Sequence, residues 1–236
     1  MRSSSDRQLA LNNRADLLIE GFPTCVRVFG ERPPFRRPGQ FELHRATIAA
    51  GRKAGSVRAA IASPEFIGLL YKTLRAWGIG KRGSRLVSAD RFASGLNRQA
   101  KEIASLESLA IDDRTLNVSR ASDRLWKVLD ELVVTDNKAR LVPATKTLHH
   151  LLPDLVVPID REYTQTFFGW HNTDFQNHQA TCFRQAFQTF QRIAVETSPS
   201  RFVGSGWNTS KTKVIDNAIV GFSVITASTS PLSKLR

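Results

Sequence analysis

The residues best suited to chemistry lie in and after the stretch Val-Pro-Ala-Thr-Lys-Thr-Leu-His-His-Leu-Leu-Pro-Asp-Leu-Val-Val-Pro-Ile-Asp, residues 142–160. Lys146 opens an apolar helix that breaks at Pro153, and a hydrophobic run then delivers Asp160 directly after Pro158 and Ile159. A carboxylate at the start of the next helix meets backbone N–H groups with no intrahelical partner, so capping is one role open to it. Its neighbourhood offers another. The run before it is apolar, and Tyr163, Phe167, Phe168 and Trp170 follow. An ionised carboxylate on a hydrophobic wall beside aromatic rings stabilises a developing cation, such as the oxocarbenium-like sugar of a breaking glycosidic bond. The two roles are compatible, because cap hydrogen bonds hold the carboxylate ionised. Lys146 also has two readings. It is a nucleophile if burial beside Leu148 and Leu151 strips its proton, or a phosphate ligand, which needs no such shift.

A lysine ahead of an apolar helix, then Val-Pro-Ile-Asp opening the next, resembles the catalytic segment of helix-hairpin-helix DNA glycosylases over about twenty residues. The resemblance implies that Asp160 stabilises the cationic sugar as a base leaves. In bifunctional members the lysine attacks that sugar. The Lys-to-Asp gap is shorter here than in the family's best-known members, which favours a positioning or phosphate role for Lys146 and a monofunctional enzyme. Such an enzyme extrudes its target nucleotide into a pocket, for which Tyr163, Phe167, Trp170 and Trp77 are the candidate walls. The absence of cluster cysteines and the Arg- and Pro-rich N-terminal region are similar to bacterial anti-phage DNA glycosylases, which implies a modified substrate base such as glucosylated hydroxymethylcytosine.

The charge balance agrees with a nucleic-acid partner. The 236 residues carry 34 Lys and Arg against 21 Asp and Glu, a formal charge of +13. Such an excess repels itself in the compact state and suits a polyanion, here double-stranded DNA. It is unevenly spread. Residues 1–60 hold 11 basic and 5 acidic side chains and residues 111–160 hold 7 and 8, so a near-neutral block containing Asp160 sits between basic flanks. Two stretches could grip phosphate. The first is Trp77-Gly78-Ile79-Gly80-Lys81-Arg82-Gly83-Ser84-Arg85, whose glycines let backbone N–H groups approach an anion while Lys81, Arg82 and Arg85 add charge. The second is Gly206-Trp207-Asn208-Thr209-Ser210-Lys211-Thr212-Lys213, with Lys211 and Lys213 at a helix start. The plainer readings are a glycine C-cap before a basic loop and a capped helix with a solvated basic turn.

Two distant cysteines, Cys25 and Cys182, cannot make a four-cysteine cluster, which excludes an iron–sulfur centre of that kind. They read as free thiols of a cytoplasmic protein. The five histidines lack metal-ligand spacing; no metal or other cofactor is expected, and no apolar run is long enough to span a membrane. A non-catalytic DNA-binding module is the competing reading, and a nuclease using Asp112 and Asp113 a third.

Helical periodicity dominates and predicts an all-α domain over 1–236, with two lobes meeting near 110–142. Helices are expected at about 6–20, with Leu9, Leu11, Leu17, Leu18 and Ile19 mostly on one side, at 41–52, and from Ser63-Pro64-Glu65 to Gly78. Further ones are expected at 88–95, 97–108, 118–133, 143–152, from Asp160 to 168, and at 174–197 and 209–224. Residues 21–40, holding four of the ten prolines, are expected as a loop or arm, and 225–236 as a frayed tail.

Overall fold

The structure, a computed structural model, describes residues 4–35, 37–80, 85–204 and 206–229. These residues form α1 (Ser4–Glu20), α2 (Phe22–Glu31), α3 (Gln40–Ala54), α4 (Val57–Ala62), α5 (Pro64–Ala76), α6 (Ala89–Ala104), α7 (Val118–Glu131), α8 (Leu141–Leu151), α9 (Thr164–Phe168), α10 (Asn172–Asn177), α11 (Gln179–Thr197) and α12 (Lys211–Thr229). Among the described residues the only β pairing is an isolated antiparallel bridge between Leu86 and Thr135. The fold is all-α.

The local rules hold where side chains signal their position. Ser63 and Ser88 cap α5 and α6 by accepting the backbone N–H groups of Phe66 and Arg91, as short hydroxyl side chains do. Leu125, Val128, Leu129 and Leu132 bury the inner face of α7, with Asp130 and Glu131 outward. Five expectations change. Residues 22–31 are helix, not loop: Pro23 stands in the first turn, where its missing N–H costs nothing, and Phe22, Cys25, Val26 and Phe29 form a buried stripe. The two short helices expected over 88–108 are one, α6, with Phe92, Gly95, Leu96 and Ile103 inward. The expected helix 174–197 breaks at His178, where α10 ends and α11 begins. On α1 the inward face is Leu11, Ala15 and Leu18, while Leu9 and Leu17 are 62% and 57% exposed. The last helix also runs further than expected, to Thr229; residues 230–236 lie outside the described chain.

Three helix packings set the frame. α12 lies chiefly on α2, α3 on α5, and α7 on α11, around one continuous apolar cluster. The α2–α12 crossing is backbone against backbone: a Cβ on Gly221 would stand 2.0 Å from the Cys25 carbonyl oxygen. α8 passes through the middle, with Leu141, Ala144, Thr145, Leu148, His149 and His150 all buried. Its first turn is capped from afar, the Gln179 side chain accepting both the Arg140 and Leu141 N–H groups at 2.9 Å. A helix buried this fully cannot shift without disturbing the core around it. It is a rigid rail.

Candidate active site

α8 and the chain that returns over it place Lys146 and Asp160 together. The Thr145 hydroxyl accepts the Ile159 N–H at 3.2 Å, which pins the extended run after Pro153 to the turn of α8 carrying Lys146. Asp160 follows, half-buried. Its Oδ1 accepts the backbone N–H groups of Glu162, Tyr163 and Thr164 at 3.0, 2.7 and 3.0 Å, which leaves Oδ2 outside the cap. The capping role foreseen for Asp160 is present, although α9 begins only at Thr164. Both side chains line one open cavity of about 890 Å³. Lys146 is half-buried, with its amine 5.5 Å from the centre of the Trp77 ring. Burial lowers its proton affinity; attraction from Asp160 and Asp216 offsets part of this, and repulsion from Lys213 and Arg37 adds to it.

A second charged pair closes the cavity from α12. Lys213 and Asp216, one turn apart, are 1% and 5% exposed and hydrogen-bonded to each other. Ser210 accepts the Lys213 N–H at 3.2 Å and so fixes the first turn of α12. The Lys213 ammonium stands over Phe35, Trp207 and Trp77 at 5.0, 5.3 and 5.4 Å from the ring centres. Burial raises the proton affinity of Asp216, an effect Lys213 opposes and Asp160 reinforces.

Behind Lys146 stand three imidazoles. His150 Nδ1 meets the Lys146 carbonyl oxygen at 2.8 Å and His150 Nε2 meets His44 Nδ1 at 3.0 Å. His44 Nε2 continues to the Thr209 hydroxyl at 2.7 Å. His149 Nδ1 reaches the Val156 carbonyl oxygen and the Thr212 hydroxyl, each at 3.0 Å. A neutral reading, with each Nδ1 carrying the proton, satisfies every ring nitrogen of the three but His149 Nε2, which is buried with no hydrogen-bond partner among the described residues. Burial pushes all three below the usual histidine range, His150 to about 4. These histidines tie α3, α8 and the start of α12 together at the back of the cavity.

The sequence-derived candidates divide. Asp160, Lys146, Trp77 and Tyr163 share the cavity, as do Gly78 and Ile79 of the glycine turn. That turn is a helix C-cap: Gly78 and Gly80 have φ of 83° and 92°, and the Ile79 N–H reaches back to the Leu74 carbonyl oxygen, the pattern of a glycine-terminated helix. Phe167 and Trp170 are not cavity walls. Phe167 is buried against Phe168 and Phe222, and Trp170 stacks on Phe168 at 4.4 Å while its indole donates to Gln185. α9 turns the Phe167 ring into the core, and Trp170, just past its end, packs partly buried against it. Lys213 is a cavity residue rather than a surface phosphate ligand, and the Lys211 ammonium is held by Asp112 at 2.8 Å. Arg85 is exposed, with its backbone paired to Asp136; Lys81 and Arg82 lie outside the described residues. Asp112 is thus engaged, and Asp113 accepts the N–H and hydroxyl of Thr115, so the acidic pair is used locally.

Sequence reasoning missed Asp216, Phe35, Arg37 and His44. Only the spacing Lys-x-x-Asp at a helix start hinted at Asp216, since residues three apart share a helix face. Among the described residues no three His, Cys, Asp or Glu side chains converge to hold a metal ion, and no helix is long and apolar enough to cross a membrane. Comparisons with protein-family models, curated proteins and solved structures return no match to this chain.

Proposed function

We propose that this protein is a DNA glycosylase that receives an extruded nucleotide in its central cavity and breaks the bond between base and sugar. One observation carries the reading: Asp160, Lys146 and the rings of Trp77, Tyr163, Phe35 and Trp207 all face the same cavity. Its volume of about 890 Å³ lies within the ~300–1,000 Å³ of small-molecule sites. It leaves room for a substituent beyond the base, in keeping with the modified-base substrate implied by the resemblance. Asp160 has one oxygen held by three N–H groups and the other outside the cap, which suits a fixed carboxylate facing a cationic sugar. The bonding electrons leave with the base, which takes up a proton.

The position of Lys146 favours a second step. An amine in the cavity wall with weakened proton affinity suits attack on C1′, which gives a Schiff base with the opened sugar and exposes the strand to nicking. A phosphate ligand would suit the surface better. The test is digestion of plain and base-modified phage DNA, with abasic sites counted by an aldehyde-reactive probe. Sites on modified DNA support the proposal. DNA that is bound and shifted in a gel, yet never acquires such sites, refutes it and leaves a DNA-binding module.

A further inference from the structure

We propose that Lys213 and Asp216 form the recognition edge of the cavity, which takes a flat heterocycle by an acceptor and a donor placed side by side, the pattern of an unmodified Watson–Crick edge. The proposal rests on the reading that the cavity takes a base, and it adds a selection rule. A base altered on that edge is refused, and a base altered elsewhere on its ring is admitted.

The geometry supports this in three ways. The two side chains are at least nine-tenths buried yet both line the cavity. Two buried charges are costly compared with an apolar pair of the same size, and the surrounding core is apolar. Each partner also keeps capacity toward the cavity. Asp216 uses Oδ2 to accept from Lys213, and Oδ1 has no hydrogen-bond partner among the described residues without being one of the sealed, unsatisfied atoms. The ammonium has three N–H donors, of which one serves Asp216. The pair therefore offers a donor next to an acceptor. Phe35, Trp77 and Trp207 stand around the ammonium and also line the cavity, so a planar ring that reaches the pair lies among aromatic side chains.

Each nucleobase meets that pattern on its pairing edge, as N1 with the N6 amino group of adenine or N3 with the N4 amino group of cytosine. Guanine offers O6 with N1–H, and thymine O4 with N3–H. Methylation at N1 of a purine or N3 of a pyrimidine destroys the pattern, whereas substituents at C5 or C8 leave it intact. A buried polar site discriminates strongly against a ligand that leaves it unpaired.

The experiment titrates the full-length protein with the four 2′-deoxynucleosides and their N1- or N3-methylated counterparts, read by quenching of tryptophan fluorescence. At least one parent nucleoside should bind, with its methylated partner at least ~10-fold weaker. Asp216→Asn and Lys213→Met, checked for folding by circular dichroism, should each abolish that preference. Failure of every parent to bind, equal binding of the methylated partners, or a full preference in folded Asp216→Asn overturns the proposal. Abasic-site formation is scored on the same preparations. Discrimination without base release refutes the glycosylase reading alone, and release indifferent to Asp216→Asn refutes this one alone.

Discussion

Lys146 is the residue whose setting changes its chemistry. The sequence places it near the start of a helix, where an ammonium is an easy phosphate ligand. The fold instead sets it in the cavity wall against Trp77, with Lys213 and Arg37 adding positive charge nearby. Desolvation favours the free amine and outweighs the attraction of Asp160 and Asp216, with Lys213 and Arg37 adding to it. We expect borohydride to trap a covalent protein–DNA adduct during turnover, and Lys146→Ala to abolish the adduct. Unnicked abasic strands with no adduct would return Lys146 to a positioning role and leave water as the nucleophile. Asp160 was legible because a Pro-Ile-Asp turn is a local signal. Asp216 was not, because its importance arises only when the first turn of α12 meets α8, where Thr212 reaches His149 across 63 positions of sequence.

At the scale of elements, two glycines make opposite predictions. Gly221 exists for contact, since a side chain there would meet the Cys25 carbonyl oxygen at 2.0 Å. Gly221→Ala must part α2 from α12, so a loss of about 1–3 kcal/mol is expected. Gly68, within α5, has open space where a Cβ would stand. Gly68→Ala should gain about 0.4–1 kcal/mol by restricting the unfolded chain. Denaturant melts of the two variants check both signs, and equal shifts would contradict the packing described here.

The imidazole chain linking α3, α8 and α12 gives the fold a pH dependence. In the unfolded chain these histidines take protons as pH falls through about 6.5, whereas folded His150 resists down to about 4. Acid therefore favours unfolding across that window. Each such imidazole adds a slope of up to ~1.4 kcal/mol per pH unit. The melting temperature should fall steeply between about pH 6.5 and about pH 4.5; a flat profile would mean that the histidines are solvated. Their tandem spacing revealed none of this, because α8 is enclosed on nearly every side and so buries both neighbours. The helix at 22–31 was obscured in a similar way: its proline suggested a loop, and only the buried stripe shows that the residue sits harmlessly in the first turn.

For the whole molecule, the +13 charge remains the long-range argument for a polyanionic partner. Binding to duplex DNA should weaken steeply with salt. Arg161 and Lys138, exposed at the cavity rim, should each lower the log–log slope by roughly 0.9 when replaced by alanine if they meet a phosphate. Lys211→Ala should leave the slope unchanged, since Asp112 already holds that ammonium; a drop there would contradict the assignment. Helical class and most helix positions could be read from periodicity, whereas the cavity could not, because Phe35, Trp77, Lys146, Asp160 and Asp216 meet only in three dimensions.

The most direct test of the central claim is base release by wild type and Asp160→Asn, counted as aldehyde-reactive sites on base-modified duplex DNA. Asparagine keeps the Oδ1 cap to Glu162, Tyr163 and Thr164 and removes only the charge. The account predicts release by the wild type and a loss of at least ~10²-fold in the folded variant. Equal release by both proteins, or none by the wild type on any DNA tested, would contradict it.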